Sequence, residues 1–271
     1  MLDGAFTIYR RQFASLFLTA LLPQIPMIVL ITLYYGFLGS LTSGLEGGSE
    51  PAPATLMIVG LVAIVLLPIA IIGSATAVGA VTFQTARAYT GAPVTTKEAI
   101  QRGLNRALPL AGAYFLVGVM AFFGLLAFIV GFFVVWISAF AVAPAVVLER
   151  RGPSDAISRS WQLIKGAWGE VFLVVFIAGM IATLPGSAVG MFATIAGVVA
   201  SGGDPDALMA AQAVGQVLSQ LARTLTIPFS IGTTVLLYYD RRVRSEALDV
   251  QMMAESLAPA PTSPQPAGNW G

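Results

Sequence analysis

"ALPLAGAYFLVGVMAFFGLLAFIVGFFVVWISAFAVAPAVVL", residues 107–148, runs for 42 positions without a charged side chain. A helix rises 1.5 Å per residue, so one unbroken helix of this length would measure ~63 Å, about twice the hydrocarbon thickness of a bilayer. The run must therefore fold back into two spans, and Gly124 and Gly131 bracket the stretch where the turn is expected. That doubling sets the parity of the whole chain.

Working outward, four further apolar runs are long enough to cross a bilayer. They cover Phe13 to Leu38, Leu56 to Ala80 with a helical continuation to about Tyr89, Val171 to Val199, and Leu221 to Tyr239. The total is six spans in an all-α membrane protein. Composition agrees: of 271 residues 57% are hydrophobic and 10% charged, with a mean hydropathy of +0.84, outside the balance of a water-soluble domain. The net charge of +1 gives no basic field for nucleic acid. With no Cys and no His, disulfides, thiolate chemistry, the usual zinc ligand sets and histidine acid–base catalysis are all excluded. No cofactor and no metal are expected. The start, "MLDGAFTIYRRQF", does not read as a secretory signal, because Asp3 and aromatics precede the basic pair and no small-residue cleavage site follows.

The charges test the count of six. Lys and Arg gather in cytoplasmic loops of bacterial membrane proteins. Arg10, Arg11, Arg87, Lys97, Arg102, Arg106, Arg150, Arg151, Arg159, Lys165, Arg241, Arg242 and Arg244 all fall on one side, which is 13 of the 14 basic residues. The opposite loops, "SLTSGLEGGSEPAP" and "SGGDPDA", carry Glu46, Glu50, Asp204 and Asp206 with no Lys or Arg. An odd number of spans would scramble this alternation. Six spans place both termini in the cytoplasm, and the membrane expected is the bacterial cytoplasmic one.

One cytoplasmic stretch, "RSWQLIKGAWGEVF" at residues 159–172, interrupts the apolar text with an amphipathic helix. With its lead-in it puts Ile157, Trp161, Ile164 and Trp168 at steps of four, three and four on one face, while Ser158, Arg159, Gln162 and Lys165 take the other. Such a helix is expected to rest in the lipid interface with its Trp side chains at headgroup depth. The pattern repeats. A shift of 155 residues pairs Phe6 with Trp161, Tyr9 with Ile164, Arg10 with Lys165 and Phe13 with Trp168. A fainter middle copy, "TTKEAIQRGLNRALPLAG", sets Leu104 at the Tyr9 place and Leu108 at the Phe13 place. The chain therefore reads as three membrane hairpins, each preceded by a short interfacial helix. For the middle copy, simple amphipathicity of a loop feeding a span is the alternative.

Pro23, Pro26, Pro68, Pro144, Pro185 and Pro228 lie within spans, where neighbouring helices tolerate a kink. Small residues four apart, such as Gly186 with Gly190 and Ala75 with Gly79, predict close helix approach. Residues 1–250 form the membrane domain, and the Pro-rich stretch at 251–271 is expected to be a disordered tail.

Few side chains offer a site. Arg223 breaks the charge pattern: it sits ~25 Å of helix from Asp240, near the outer edge of the hydrocarbon, with Gln216 and Gln220 on its helical face. It either snorkels to headgroups or lines a polar cavity. Gln24 and Gln84 are interhelical hydrogen-bond partners on one reading and cavity groups on the other. Glu149, Arg150, Arg151, Asp155 and Arg159, with Arg10, Arg11, Trp161, Lys165, Trp168, Arg241, Arg242 and Arg244, are candidates for contact with lipid headgroups or a partner. Topology by itself demands much of that positive charge. No catalytic constellation is visible.

"MLDGAFTIYRRQF" (1–13), "APAVVLERRGPSDAISRSWQLIKGAWGEVF" (143–172) and "LLYYDRRVRSEALD" (236–249) together resemble the bacterial multipass family named after the membrane domain of certain glycerophosphoryl diester phosphodiesterases. In that family the six-span region is either joined to a phosphodiesterase domain or stands alone. The resemblance implies the stand-alone form, since the histidines such hydrolases use are missing. The sequence therefore points to a non-enzymatic membrane component, a scaffold, lipid-contacting helper or partner of another envelope protein. The rival is a small transporter, motivated by Arg223, the kinked spans and the repeat.

Overall fold

The computed structural model describes residues 2–46, 53–92, 94–127 and 129–246. The tail at 251–271 and Glu50 lie outside the described residues. Among those described, every regular element is helical: α1 (Leu2–Arg11), α2 (Phe13–Leu21), a 3-10 turn (Leu22–Gln24), α3 (Ile25–Glu46), α4 (Pro53–Tyr89), α5 (Thr96–Ala127), α6 (Ile129–Ser138), α7 (Val142–Val147), α8 (Pro153–Ile164), α9 (Trp168–Ser201) and α10 (Pro205–Glu246). Six helical segments are long and apolar enough to cross a membrane: Phe13–Phe37, Gly60–Tyr89, Thr96–Leu126, Ile129–Val147, Trp168–Ser201 and Ala207–Glu246. Large apolar side chains such as Ile64, Leu108, Phe115 and Val199 point outward, as the outer surface of a lipid-embedded bundle requires.

The long uncharged run divides where it was expected to divide. α5 ends at Ala127, α6 begins at Ile129, and Gly124 lies against Gly131 closely enough that a Cβ on Gly131 would stand 2.6 Å from the Gly124 carbonyl oxygen. Two other boundaries differ from the sequence reading. The third span begins at Thr96 rather than Ala107, and the sixth at Ala207 rather than Leu221. A helix ends where its backbone is capped or broken, not where charge begins, and nothing between Thr96 and Ala107 breaks it. The start of α5 is a capping box: the Thr95 N–H donates to Glu98 Oε2 (3.0 Å) and the Glu98 N–H donates to Thr95 Oγ1 (3.3 Å). The middle amphipathic copy is thus no separate interfacial helix but the first turns of α5.

Glycine and alanine set how the helices cross. A Cβ on Gly103 of α5 would lie 2.4 Å from the Thr76 carbonyl oxygen and 2.7 Å from the Ala80 nitrogen of α4, so the two backbones touch there. Beyond this crossing Leu110, Ala113, Val142, Ala145 and Val146 fill the largest core with α4, α5 and α7. Between α9 and α10, Ala182 faces Thr226, Gly186 faces Ser219, Ala193 faces Gly215 and Gly197 faces Ala211. Rising numbers meet falling ones, which makes the pair antiparallel with a seam of small residues, as the spacing at Gly186 and Gly190 predicts.

α8 departs from its expected role. Its inward face is Ala156, Arg159, Ser160, Leu163 and Ile164, while Ser158, Gln162 and Lys165 are exposed. Ser160 bridges α6 and α8 by accepting from the Ala141 N–H (2.9 Å) and donating to the Ser138 carbonyl. Arg159, placed by periodicity on the solvent face, is buried. Through that face the helix is bolted to the bundle. Trp161 is half-buried and meets exposed Trp168 edge to face at 5.6 Å across the turn that Gly166 makes with φ +76°. α1 likewise packs on protein, with Ala5 against Phe229 and Leu236, and the Tyr9 phenol donates to the Leu225 carbonyl (2.6 Å) in the turn that Pro228 interrupts.

Candidate functional site

The charged residues of the basic end separate into a locked set and a free set. The locked set follows from a reversal of the chain after α7 at Arg150, itself exposed, whose φ of 57° is rare for a residue with a side chain. That reversal turns Glu149 and Arg151 toward the bundle. Glu149 accepts from Arg159 Nε (3.0 and 3.1 Å), from Arg151 and from the Tyr238 phenol of α10. Arg159 also forms a two-pronged pair with Glu246, through Nη1 to Oε1 and Nη2 to Oε2 (2.8 Å). Arg242 closes the circuit onto Glu246 (3.2 Å) and the Tyr238 oxygen (3.3 Å). One helix turn away, Arg241 donates to the carbonyls of Leu163 (3.2 Å) and Lys165 (3.4 Å), satisfying the open C-terminal end of α8 where a cation is electrostatically favoured. Arg244 pairs with Asp240 at 2.9 Å.

Burial works strongly against the charge on Glu149. The hydrogen bonds from Tyr238, Arg151 and Arg159 outweigh it and hold the carboxyl below its ordinary value of 4.5. For Arg159 the hydrogen bonds it donates to Glu246 and Glu149 outweigh burial and keep the guanidinium charged. Most of the acidic and basic groups proposed from sequence as headgroup contacts therefore spend their charge on each other, joining the 148–152 loop, α8 and the end of α10.

The free set lies around this lock. Arg10, Arg11, Arg87, Lys97, Arg150 and Lys165 are exposed, and among the described residues none of them forms an ion pair. Tyr89 stacks with Tyr239 at 5.4 Å beside them, and the Trp161–Trp168 pair stands at the same end. Aromatic side chains mixed with cations are the composition of a lipid headgroup layer contact.

The intramembrane candidates do not form one site. Gln24 is buried and Gln220 half-buried, and they meet in a hydrogen bond from Gln220 Nε2 to Gln24 Oε1 (2.6 Å) between the 3-10 turn and α10. Gln216 is half-buried one turn earlier. Gln84 sits elsewhere: fully buried on α4, it donates to Ser15 Oγ (2.7 Å), which is 3.0 Å from Thr96 Oγ1, so one relay ties α2, α4 and the start of α5. Arg223 is exposed, with its aliphatic stem against Gly186.

Removing one member of the Gln24–Gln220 pair should cost more than removing both. Gln24→Leu strands the half-buried Gln220 amide and should lower stability by ~1–2 kcal/mol, while Gln24→Leu with Gln220→Leu should recover most of that loss. Melting of wild type and the two variants in one detergent reads the difference, and a double variant no more stable than Gln24→Leu would contradict it.

Sequence periodicity missed three participants. Tyr238 and Glu246 complete the lock from α10, and only the Arg242 to Glu246 spacing of four hinted at them. Arg102, read as a topology charge, lies half-buried with its guanidinium 5.5 Å from the centre of the Phe83 ring. By length and composition of its helices the chain is a multi-pass α-helical membrane protein. No family model, no curated protein and no solved structure matches it.

Proposed function

We propose that the chain is a non-enzymatic component of the bacterial cytoplasmic membrane, a scaffold or accessory protein that binds the inner leaflet through its basic end. Its six spans form three hairpins with both termini cytoplasmic, in keeping with the resemblance to the stand-alone form of the phosphodiesterase-associated membrane family. The observation that carries this reading is the division of the cations: one set is paired inside the lock, and another is exposed, with no ion pair among the described residues and with aromatics adjoining. Juxtamembrane cations attract acidic lipid at ~1 kcal/mol each, so six of them give firm, salt-sensitive attachment. The exposure of Arg223 fits anchoring in the opposite headgroup layer better than the transporter reading.

Two measurements test the proposal. Because the chain has no cysteine, single-cysteine variants label cleanly. Glu46→Cys should react with a membrane-impermeant maleimide in intact spheroplasts, and Lys97→Cys only after permeabilisation; labelling of both from one side overturns the topology. Purification in mild detergent should recover acidic phospholipid or a protein partner, and recovery of neither overturns the role.

A further inference from the structure

Where α4 and α5 part beyond the Gly103 crossing, a hollow of about 480 Å³ opens, lined among others by Arg87, Gln101, Arg102, Asn105 and Phe83. We propose that this hollow holds the phosphate of one anionic phospholipid, with an acyl chain laid along the adjoining flank of α5. The Nε of Arg102 has no hydrogen-bond partner among the described residues, and the residue belongs to the lining of the hollow. Phe83 holds its guanidinium by the ring face, and Arg87 brings a second cation. The one carboxylate in the lining, Glu98, does not neutralise them: it is turned back to the Thr95 hydroxyl and N–H in the capping box. Guanidinium and amide groups that line one hollow and form no ion pair with Glu98 match the oxygens of a phosphodiester.

The neighbouring feature selects a lipid as the source of that phosphate. A second hollow of about 580 Å³ is lined by Leu22, Thr96, Lys97, Ile100, Gln101 and Leu104 and is mostly apolar. On α5 the positions 98, 102 and 105 face the polar hollow and 97, 100 and 104 the apolar one, with Gln101 shared between them. Polar and apolar hollows on adjoining flanks of one helix are complementary to a molecule with an anionic head and a hydrocarbon tail. A soluble phosphate would leave the second hollow unused. This inference rests on the membrane reading above and narrows its lipid contact to one built site.

Native mass spectrometry of the detergent-solubilised protein, mixed with equal phosphatidylglycerol and phosphatidylcholine, tests it. A single retained phosphatidylglycerol is expected, and excess inorganic phosphate should not displace it. Arg87→Gln with Arg102→Gln should weaken retention roughly tenfold, and Leu104→Gln, an exposed apolar change, severalfold. Gly118→Ala, whose added Cβ meets nothing within 4 Å, should leave it intact. If the double arginine variant does not fold, Arg87→Gln and Leu104→Gln, both on exposed side chains, carry the test. Retention by wild type that these variants leave unchanged overturns the groove while the wider reading stands. Displacement by inorganic phosphate overturns the lipid as ligand, and no preference for phosphatidylglycerol in the wild type overturns the site together with the lipid-binding role.

Discussion

Arg159→Met is expected to loosen α8 from the end of α10 and to lower stability by ~3–5 kcal/mol, the range for breaking a buried ion pair by deleting one partner. Arg159 is the only described side chain that joins Glu149 to Glu246 by direct hydrogen bonds from one mostly buried guanidinium, 9% exposed. Met restores the length but not the charge, so the half-buried Glu149 is left with Tyr238, Arg151 and the longer contact to Arg242 at 3.9 Å. The pH dependence gives a second reading of the same loss. Because Glu149 titrates below its ordinary 4.5, its contribution to wild-type stability is complete above that value and is lost as pH falls through the lowered one. In Arg159→Met the penalty should shrink on acidification, since protonation removes the stranded charge. Arg151→Met, at a side chain 42% exposed, should cost ~1 kcal/mol or less. Thermal melts in one detergent across pH 3.5 to 7 would show this, and equal melting of the two variants at neutral pH would refute it.

Gly103→Ala is the second large effect. Alanine is the better helix former by ~1 kcal/mol, yet the protein should lose ~3 kcal/mol or more, or fail to accumulate in folded form. The added Cβ falls 2.4 Å from a carbonyl oxygen and 2.7 Å from a backbone nitrogen of α4, atoms that cannot swing aside like a flexible side chain. Gly118→Ala on the same helix has nothing within 4 Å of its new Cβ and serves as the control. Yield of monodisperse protein and melting temperature separate them. If Gly103→Ala behaves like Gly118→Ala, the backbone contact between α4 and α5 is not tight.

Much of the architecture was legible in the sequence because hydrocarbon imposes a length and charge avoids it. The 42-residue run between Arg106 and Glu149 could satisfy that length only by doubling, and the turn fell between Gly124 and Gly131. Element ends were harder. The first turns of α5 carry Lys97, Glu98, Arg102 and Arg106, which the sequence set apart as a separate interfacial helix, but a capped helix continues through charge at the membrane edge.

The site was less legible, for a related reason. A helical wheel ranks Arg159 by polarity and puts it outward, whereas pairing with two glutamates from elements 10 and 87 positions away lets it face inward. Periodicity sees one helix at a time. Arg102 and Arg87 counted only as orientation signals, because the Phe83 platform and the close crossing that shape their hollow appear when α4 and α5 are brought together. The Gln24–Gln220 bond spans 196 positions, a separation at which sequence could name both polar groups but not their meeting.

The lock at the basic end also separates two quantities that share the same residues. While the nascent chain is threaded into the bilayer, Arg151, Arg159, Arg241, Arg242 and Arg244 have no partners, and orientation responds to their full complement. Once folded, the same five guanidiniums face Glu149, Glu170, Asp240 and Glu246. The mature surface potential therefore falls, four carboxylates offsetting all but one of the five charges. A change such as Glu246→Gln would raise the field of the finished protein without altering which way it was inserted.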